Sequence, residues 1–526
     1  MGDNEMNHSI GGSIYDRIKF HIELAGALPE DFELEEREHQ ENVLHFAPGA
    51  MEGIMGHHGV GSSGEQSLAD TIKEYLGMSP EDAMTDFEVR VAKDGQMVSA
   101  RRGICKVIFE RKAEYNAGGL FRLARYFAEN GMRIETVKLG LTLLALFDTG
   151  DMEEVRQVLR VLGSCEEFTD YVLTVADNWP DSIRQELYFT LAKKLHGWGK
   201  ISAVERMEAD TEEKKRWILC YGCENSVMNA YLGHVCAVKC DLRGRLERGF
   251  LTEEEFRGAT EIMKGLLDEG PCAGLSALEE PAELVLSYLA ECRLHDLDVD
   301  LVVVLADIRD YFCDEDAKTD VAAEVRTSDG AGCENVGDRM QVELKVDVLL
   351  ADMDLEAFLS RNMADKPHQC IRIAQAFQVD VSGCLIGLME KDFPKYYYFC
   401  HYLFGKDAFV DEFFAICERE IRENDYPNEM GDSLGFGAKE RSLIGLDMIV
   451  QYLGKYPLRG KKMIRICLHS PITRWRNMAG KALCGWVKEL GGTLEDIAPD
   501  LYAVVEDVAA VECNAGAREK WKRLLG

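Results

Sequence analysis

The chain has 526 residues, 46% of them hydrophobic, with 47 glycines but 12 prolines. That hydrophobic share excludes a disordered chain, and scarce proline suits helices, because proline removes an amide donor and clashes inside a helix. Sixty Lys+Arg against 93 Asp+Glu leave a net charge of −33, which repels nucleic acid and anionic lipid over most of the surface.

Residues 1–99 read as a partly helical, partly irregular segment. Met1-Gly2-Asp3-Asn4-Glu5 is acidic and lacks the basic-then-apolar layout of a signal peptide. Seventeen cysteines without an export signal then point to reduced thiols in a cytoplasmic protein. Ser13 stands as an N-cap before Ile14, Ile18, Ile22 and Ala25, which recur at helical spacing. Gly59-Val60-Gly61-Ser62-Ser63-Gly64 fits Gly-x-Gly-x-x-Gly, yet nothing strand-like precedes it, so a flexible loop is the better reading. Glu36-x-x-His39 has the spacing of one di-iron half-site and lacks a second on another helix. Solvated surface histidines are therefore expected at His39, His45, His57 and His58.

Residues 100–312 read as a block of helical repeats. Ile134, Val137, Leu141, Leu144 and Ala145 mark one helix, Val155 to Leu162 the next, and Ile183, Leu187, Leu191 and Leu195 another beyond Asn178-Trp179-Pro180. The longest apolar run, Leu139 to Phe147, falls well short of the roughly 20 residues a membrane helix needs, so no membrane association is expected. Cys220-x2-Cys223 and Cys236-x3-Cys240 carry zinc-like spacing, with His234 beside them. The stretch around Cys220 is helical in pattern and lacks zinc knuckles, so core packing is favoured over zinc and no cofactor is expected.

Residues 313–338 are poor in apolar side chains and read as a linker or insertion. Residues 339–526 form a second helical block. Its aromatic run Tyr396-Tyr397-Tyr398-Phe399, with Tyr402, Phe409 and Phe413, is mostly core by spacing, although Tyr396 to Tyr398 cannot all face inward. Gly431-Asp432-Ser433-Leu434-Gly435 fits Gly-x-Ser-x-Gly, with Asp447 and His469 downstream, but follows no strand and reads as an interhelical loop. Lys455, Arg459, Lys461, Lys462, Arg465, Arg474, Arg476 and Lys481 form a basic island without an acidic residue between them. It offers a site for an anion, a nucleic-acid strand or an acidic protein segment. The alternative is pairing with acidic residues of a neighbouring repeat or of the stretch Asp411 to Asp432.

Arg133-Ile134-Glu135-Thr136-Val137 and Ser182-Ile183-Arg184-Gln185-Glu186 start like segments, and Ile472 to Trp486 reads like the second helix of such a unit. On these segments the chain resembles HEAT/armadillo-type α-solenoids over residues 100–310 and 340–520. As a whole it is also similar to clostridial HEAT-like proteins labelled limonene hydroxylase, although no motif here carries that label. The resemblance implies an all-α fold of stacked helix pairs in two blocks, presenting a concave surface to a protein partner. The expected function is a non-catalytic scaffold. The alternatives are an enzyme or ligand-binding protein with a groove site, and anion or nucleic-acid binding at 455–481.

Overall fold

The computed structural model describes residues 12–29, 32, 34, 46–58, 64–94, 101–313, 336–433, 435 and 443–526. Among these every regular element is helical, and the one extended pairing is an isolated bridge between Ser433 and Ile472. The expected all-α class is therefore observed. The loop at 59–63, His39, His45 and nearly all of the 313–338 segment lie outside the described residues.

The helices run α1 (Ile14–Ala25), α2 (Ala50–His58), α3 (Glu65–Tyr75), α4 (Pro80–Asp94), α5 (Arg101–Glu110), α6 (Ala117–Asn130), α7 (Ile134–Leu144), α8 (Glu153–Leu162), α9 (Thr169–Ala176) and α10 (Asp181–Ala192). They continue as α11 (Trp198–Arg206), α12 (Glu212–Trp217), α13 (Gly233–Lys239), α14 (Leu242–Arg248), α15 (Glu253–Leu267), α16 (Pro281–Glu291), α17 (Val299–Cys313), α18 (Val336–Leu350), α19 (Leu355–Asn362) and α20 (Pro367–Ala376). Last come α21 (Ser382–Lys391), α22 (Phe393–Tyr396), α23 (Asp407–Glu420), α24 (Leu446–Val450), α25 (Lys461–Leu468), α26 (Thr473–Leu490), α27 (Leu494–Ile497), α28 (Pro499–Val511) and α29 (Ala515–Leu525). Contacts divide the chain into two units. Unit 1 is Met1–Glu38, His45–Asp296 and Tyr311–Asp347; unit 2 is His39–Leu44, Leu297–Asp310 and Val348–Gly526. None of the helices among the described residues is long and apolar enough to cross a membrane.

Local sequence sets the helix starts. Ser13 caps α1 as expected: its hydroxyl accepts from the Asp16 amide at 3.2 Å, and the Asp16 carboxylate accepts from the Ser13 amide at 3.3 Å. Asn116 and Thr252 cap α6 and α15 by the same oxygen-to-amide chemistry.

Within unit 1, α7 is buried on every side from Thr136 to Leu144. It packs on α6, α9, α4 and α5, so the apolar run of the sequence is a core helix. Gly140 permits close approach to α6: a Cβ there would lie 2.5 Å from the Ala128 amide nitrogen and 2.8 Å from the Ala124 carbonyl oxygen. Both are backbone atoms, so a larger residue must push α6 away bodily. Unit 2 is organised around α26, whose Trp475, Arg476, Ala479, Leu483 and Trp486 are buried against α24, α25, α27 and α29.

Gly140→Val is expected to destabilise unit 1 by about 2–3 kcal/mol, the usual cost of overpacking a core. Urea denaturation followed by circular dichroism measures it, and an unchanged midpoint would contradict the tight α6–α7 contact.

Candidate functional site

The basic island sits on α25, α26 and the turns before them, all in unit 2. Six of its eight cations are ion-paired. Arg459 meets Asp411 at 2.6 Å, Lys461 meets Asp500 at 2.8 Å, and Lys462 lies 3.7 Å from Glu418. Arg465 lies 3.3 Å from Glu423, and Arg474 meets Asp447 at 2.7 Å. These partners come from the acidic stretch 411–432 and from neighbouring helices, the pairing that the sequence offered as the alternative to a free anion site. Lys455 and Lys481 are exposed and without an ion pair among the described residues.

Arg476 has a different environment. It is fully buried, as is its partner Glu512; its Nε and Nη2 donate to that carboxylate at 2.9 and 2.7 Å, and Nη1 donates to the Ser470 carbonyl at 2.8 Å. The Trp521 indole nitrogen donates to the same carboxylate at 3.1 Å. Burial works to raise the Glu512 pKa, but the Arg476 bond, the Asn514 amide and the indole outweigh it and hold the carboxyl below its usual range.

The four clustered cysteines belong to unit 1. Cys220 lies in the π-helical turn Ile218–Gly222, Cys223 follows it, Cys236 lies on α13, and Cys240 ends that helix. All four are buried free thiols. Cys223 donates to the Glu261 carbonyl at 3.4 Å, and burial pushes the thiols of Cys236 and Cys240 well above the ordinary range. Among the described residues no group of three or more His, Cys, Asp or Glu is gathered so as to hold a metal ion.

Ser433 is held in backbone pairing: its amide donates to the Pro471 carbonyl at 3.1 Å, and its hydroxyl accepts from the Gly435 amide at 3.1 Å. Asp447, one of its possible triad partners, is engaged by Arg474. In the aromatic run, Tyr396 and Tyr397 are buried and Tyr398 is exposed, so one tyrosine faces out.

The groups that sequence reasoning missed line a cavity of about 500 Å³ in unit 1. Helix α2 contributes Glu52, Gly53 and His57; α5 gives Cys105; α7 and its end give Thr142 and Ala145. The α9 segment adds Asp170, Tyr171, Thr174 and Asp177, and α11 adds Ser202, Glu205 and Arg206. Lys138, in the middle of the buried α7, is 3% exposed and donates to Glu52 at 2.7 Å and to Glu167 at 2.5 Å. The Tyr171 hydroxyl donates to Glu52 at 3.1 Å, and the Gly49 amide donates to Glu167 at 3.3 Å. Burial works to lower the Lys138 pKa, while the two carboxylates raise it and prevail, so Lys138 is an ammonium. Gly53 lets α2 lie flat on Trp198, since a Cβ there would come 2.0 Å from the indole.

His57 is therefore not the solvated turn residue expected from its flanking glycines. It lies in the last turn of α2 with its ring half-buried, Nε2 3.6 Å from Glu205 and Nδ1 3.7 Å from the Cys272 sulfur, beside Trp198 and Tyr231. The rings form a wall that excludes water from one side of the imidazole. Burial raises Glu205 to about 7, against the opposing charges of Arg206 and Lys239. Arg206 Nη2 meets Asp170 at 2.9 Å, and Asp177 accepts from the Tyr188 hydroxyl at 2.5 Å. The arrangement offers charged acceptors, one guanidinium and an imidazole to a polar guest. Comparison of the chain with models of protein families, with curated proteins and with solved structures gave no match.

Two substitutions separate structural from functional charge. Lys138→Met leaves two buried carboxylates facing each other and is expected to cost about 3–5 kcal/mol, with partial recovery in Lys138→Met/Glu167→Gln. Arg476→Ala is expected to cost a similar amount at neutral pH. Because the Glu512 pKa is depressed on folding, the pair stabilises above the unfolded carboxyl's pKa of about 4.3 and loses that effect as pH falls below it. The Arg476→Ala penalty should shrink accordingly in denaturation at pH 3; a pH-independent penalty would contradict the assignment.

Proposed function

We propose that the protein is a binding protein built as an α-solenoid of the HEAT/armadillo kind, and that it holds a small polar ligand in the unit 1 cavity. In support of the solenoid, helices within each unit contact chiefly the next helix and the next but one, as in α6–α7, α7–α9, α9–α11, α10–α11, α24–α26 and α25–α26. The observation that carries the binding role is the cavity itself. Five helical segments converge polar side chains on a space of about 500 Å³, within the range typical of small-molecule pockets. The buried Lys138 cluster behind it fixes Glu52 and Tyr171, so the walls are set before a ligand arrives.

A second reading, a scaffold that holds a protein partner, draws on Phe250. This residue has a φ of 62° and leaves 86% of its surface exposed. The buried carboxylate of Glu291 accepts from the amides of Phe250 and Leu251 at 3.2 and 2.6 Å, which stabilises a backbone conformation that bulky residues avoid. A rigidly presented aromatic of this kind suits the anchor of a protein interface.

Thermal shift against a library of amino acids, amines, organic acids, sugars and nucleosides tests the first reading. A ligand at 100 times its Kd should stabilise the protein by about 2.7 kcal/mol, and the shift should vanish in Ala145→Trp, which fills the cavity. Stabilisation of both proteins alike by every compound would place binding elsewhere. For the second reading, a pull-down with Phe250→Ser should lose a partner that the unaltered protein retains.

A further inference from the structure

We infer that the unit 1 cavity takes a ligand with the chemistry of a basic amino acid, its ammonium received by Glu205 and its carboxylate by Arg206. The inference rests on the cavity being the binding site. It proceeds from which charged groups on the walls already have partners and which do not.

Glu52 shares Lys138 with Glu167, so that cluster is a net anion whose cation is fully engaged. Asp170 takes one nitrogen of Arg206. Asp177 has a tyrosine hydroxyl from Tyr188 rather than a cation. Glu205 has His57 at 3.6 Å as its one ion-pair contact among the described residues. The described walls therefore carry more negative than positive charge, and a guest ammonium lowers the energy of carboxylates that are partly removed from water.

The same walls offer one cation as well. The Arg206 side chain lines the cavity and is 30% exposed, and its guanidinium meets Asp170 at 2.9 Å through one terminal nitrogen. A guanidinium carries five donors, so one carboxylate leaves others to which a guest carboxylate adds a charge-assisted bond. Arg206 follows Glu205 on α11, so the two side chains leave the helix about 100° apart, which suits a guest with two separated charged ends. An amine without a carboxylate makes no use of the Arg206 cation, and a carboxylate without an amine meets the carboxylates of Glu205 and Asp177.

Glu205 also gives the site a proton linkage. The charged and titratable groups facing it are His57 from α2, Asp170 from α9, its own neighbour Arg206, Lys239 from α13, and Cys272. With burial holding it at about 7, it is half protonated at neutral pH and gives up that proton when an ammonium arrives. Affinity for an amine should therefore rise about tenfold between pH 6 and pH 8.

Calorimetry with the full chain and three matched probes tests this: L-lysine, 1,5-diaminopentane, which lacks the carboxylate, and hexanoate, which lacks the amines. L-lysine is expected to bind about tenfold or more tightly than 1,5-diaminopentane, and hexanoate not at all. Arg206→Gln should abolish the advantage of L-lysine over the diamine, and Glu205→Gln should weaken both amines and flatten their pH dependence. The pH series on the unaltered protein probes the same linkage without relying on a variant that folds. Hexanoate binding as well as L-lysine, or amine affinity unchanged from pH 6 to 8, would overturn the inference. If none of the probes binds while another compound shows the Ala145→Trp-sensitive shift, the ligand class is wrong and the cavity stands as the site. If no compound shows that shift, both fall.

Discussion

A lysine ammonium in the middle of a helix that is buried on every side is the constraint around which unit 1 is arranged. Removing such a charge from water costs several kcal/mol even after relaxation, and only close, well-aligned counter-charges recover it. Lys138 obtains them from two places far apart in sequence, Glu52 on α2 and Glu167 before α9. Each of those carboxylates needs further donors, and Tyr171 and the Gly49 amide supply them. The position of α2 on Trp198, the orientation of Tyr171 and the shape of the adjoining cavity all follow from that one requirement.

The fold class was legible in the sequence because it depends on a repeating signal. Apolar positions at helical spacing located α1, α7, α8 and α10, and Ser13 marked a start that the capping geometry reproduces. The cavity was not legible for a physical reason. Its walls come from small groups of residues on five segments between positions 52 and 206, and periodicity reports only which face of each helix is apolar. One local signal did exist: Lys138 stands among Val137, Leu139 and Leu141 in the apolar part of α7, and a charge there demands a partner. His57 was misread because its neighbouring glycines suggested an exposed turn, whereas Gly53 and the wall of Trp198 and Tyr231 enclose it.

The basic island shows the converse limit. A run of cations without acidic residues in sequence is not a run of free cations in space, because ion pairs form between helices about 40 residues apart. Arg459 with Asp411 and Lys461 with Asp500 illustrate this distance along the chain. Six of the eight cations of the island meet a carboxylate, so local composition overstates the positive potential. The clustered cysteines follow the same rule: thiols one turn apart pack as small apolar groups with their protons retained.

The Arg476–Glu512–Trp521 cluster has a consequence for synthesis on the ribosome. Arg476 emerges first, while the carboxylate that neutralises it and the indole that orients that carboxylate lie 36 and 45 residues later, as the positions 476, 512 and 521 show. At ordinary translation rates that interval lasts on the order of seconds. Throughout it Arg476 lacks the carboxylate that meets it in the folded unit, and burying an unpaired guanidinium is costly. Unit 1 has its Lys138 cluster complete once residue 171 is out, long before. The buried charge of each unit thus becomes cheap to enclose at a different point of synthesis, after residue 171 for Lys138 and after residue 521 for Arg476.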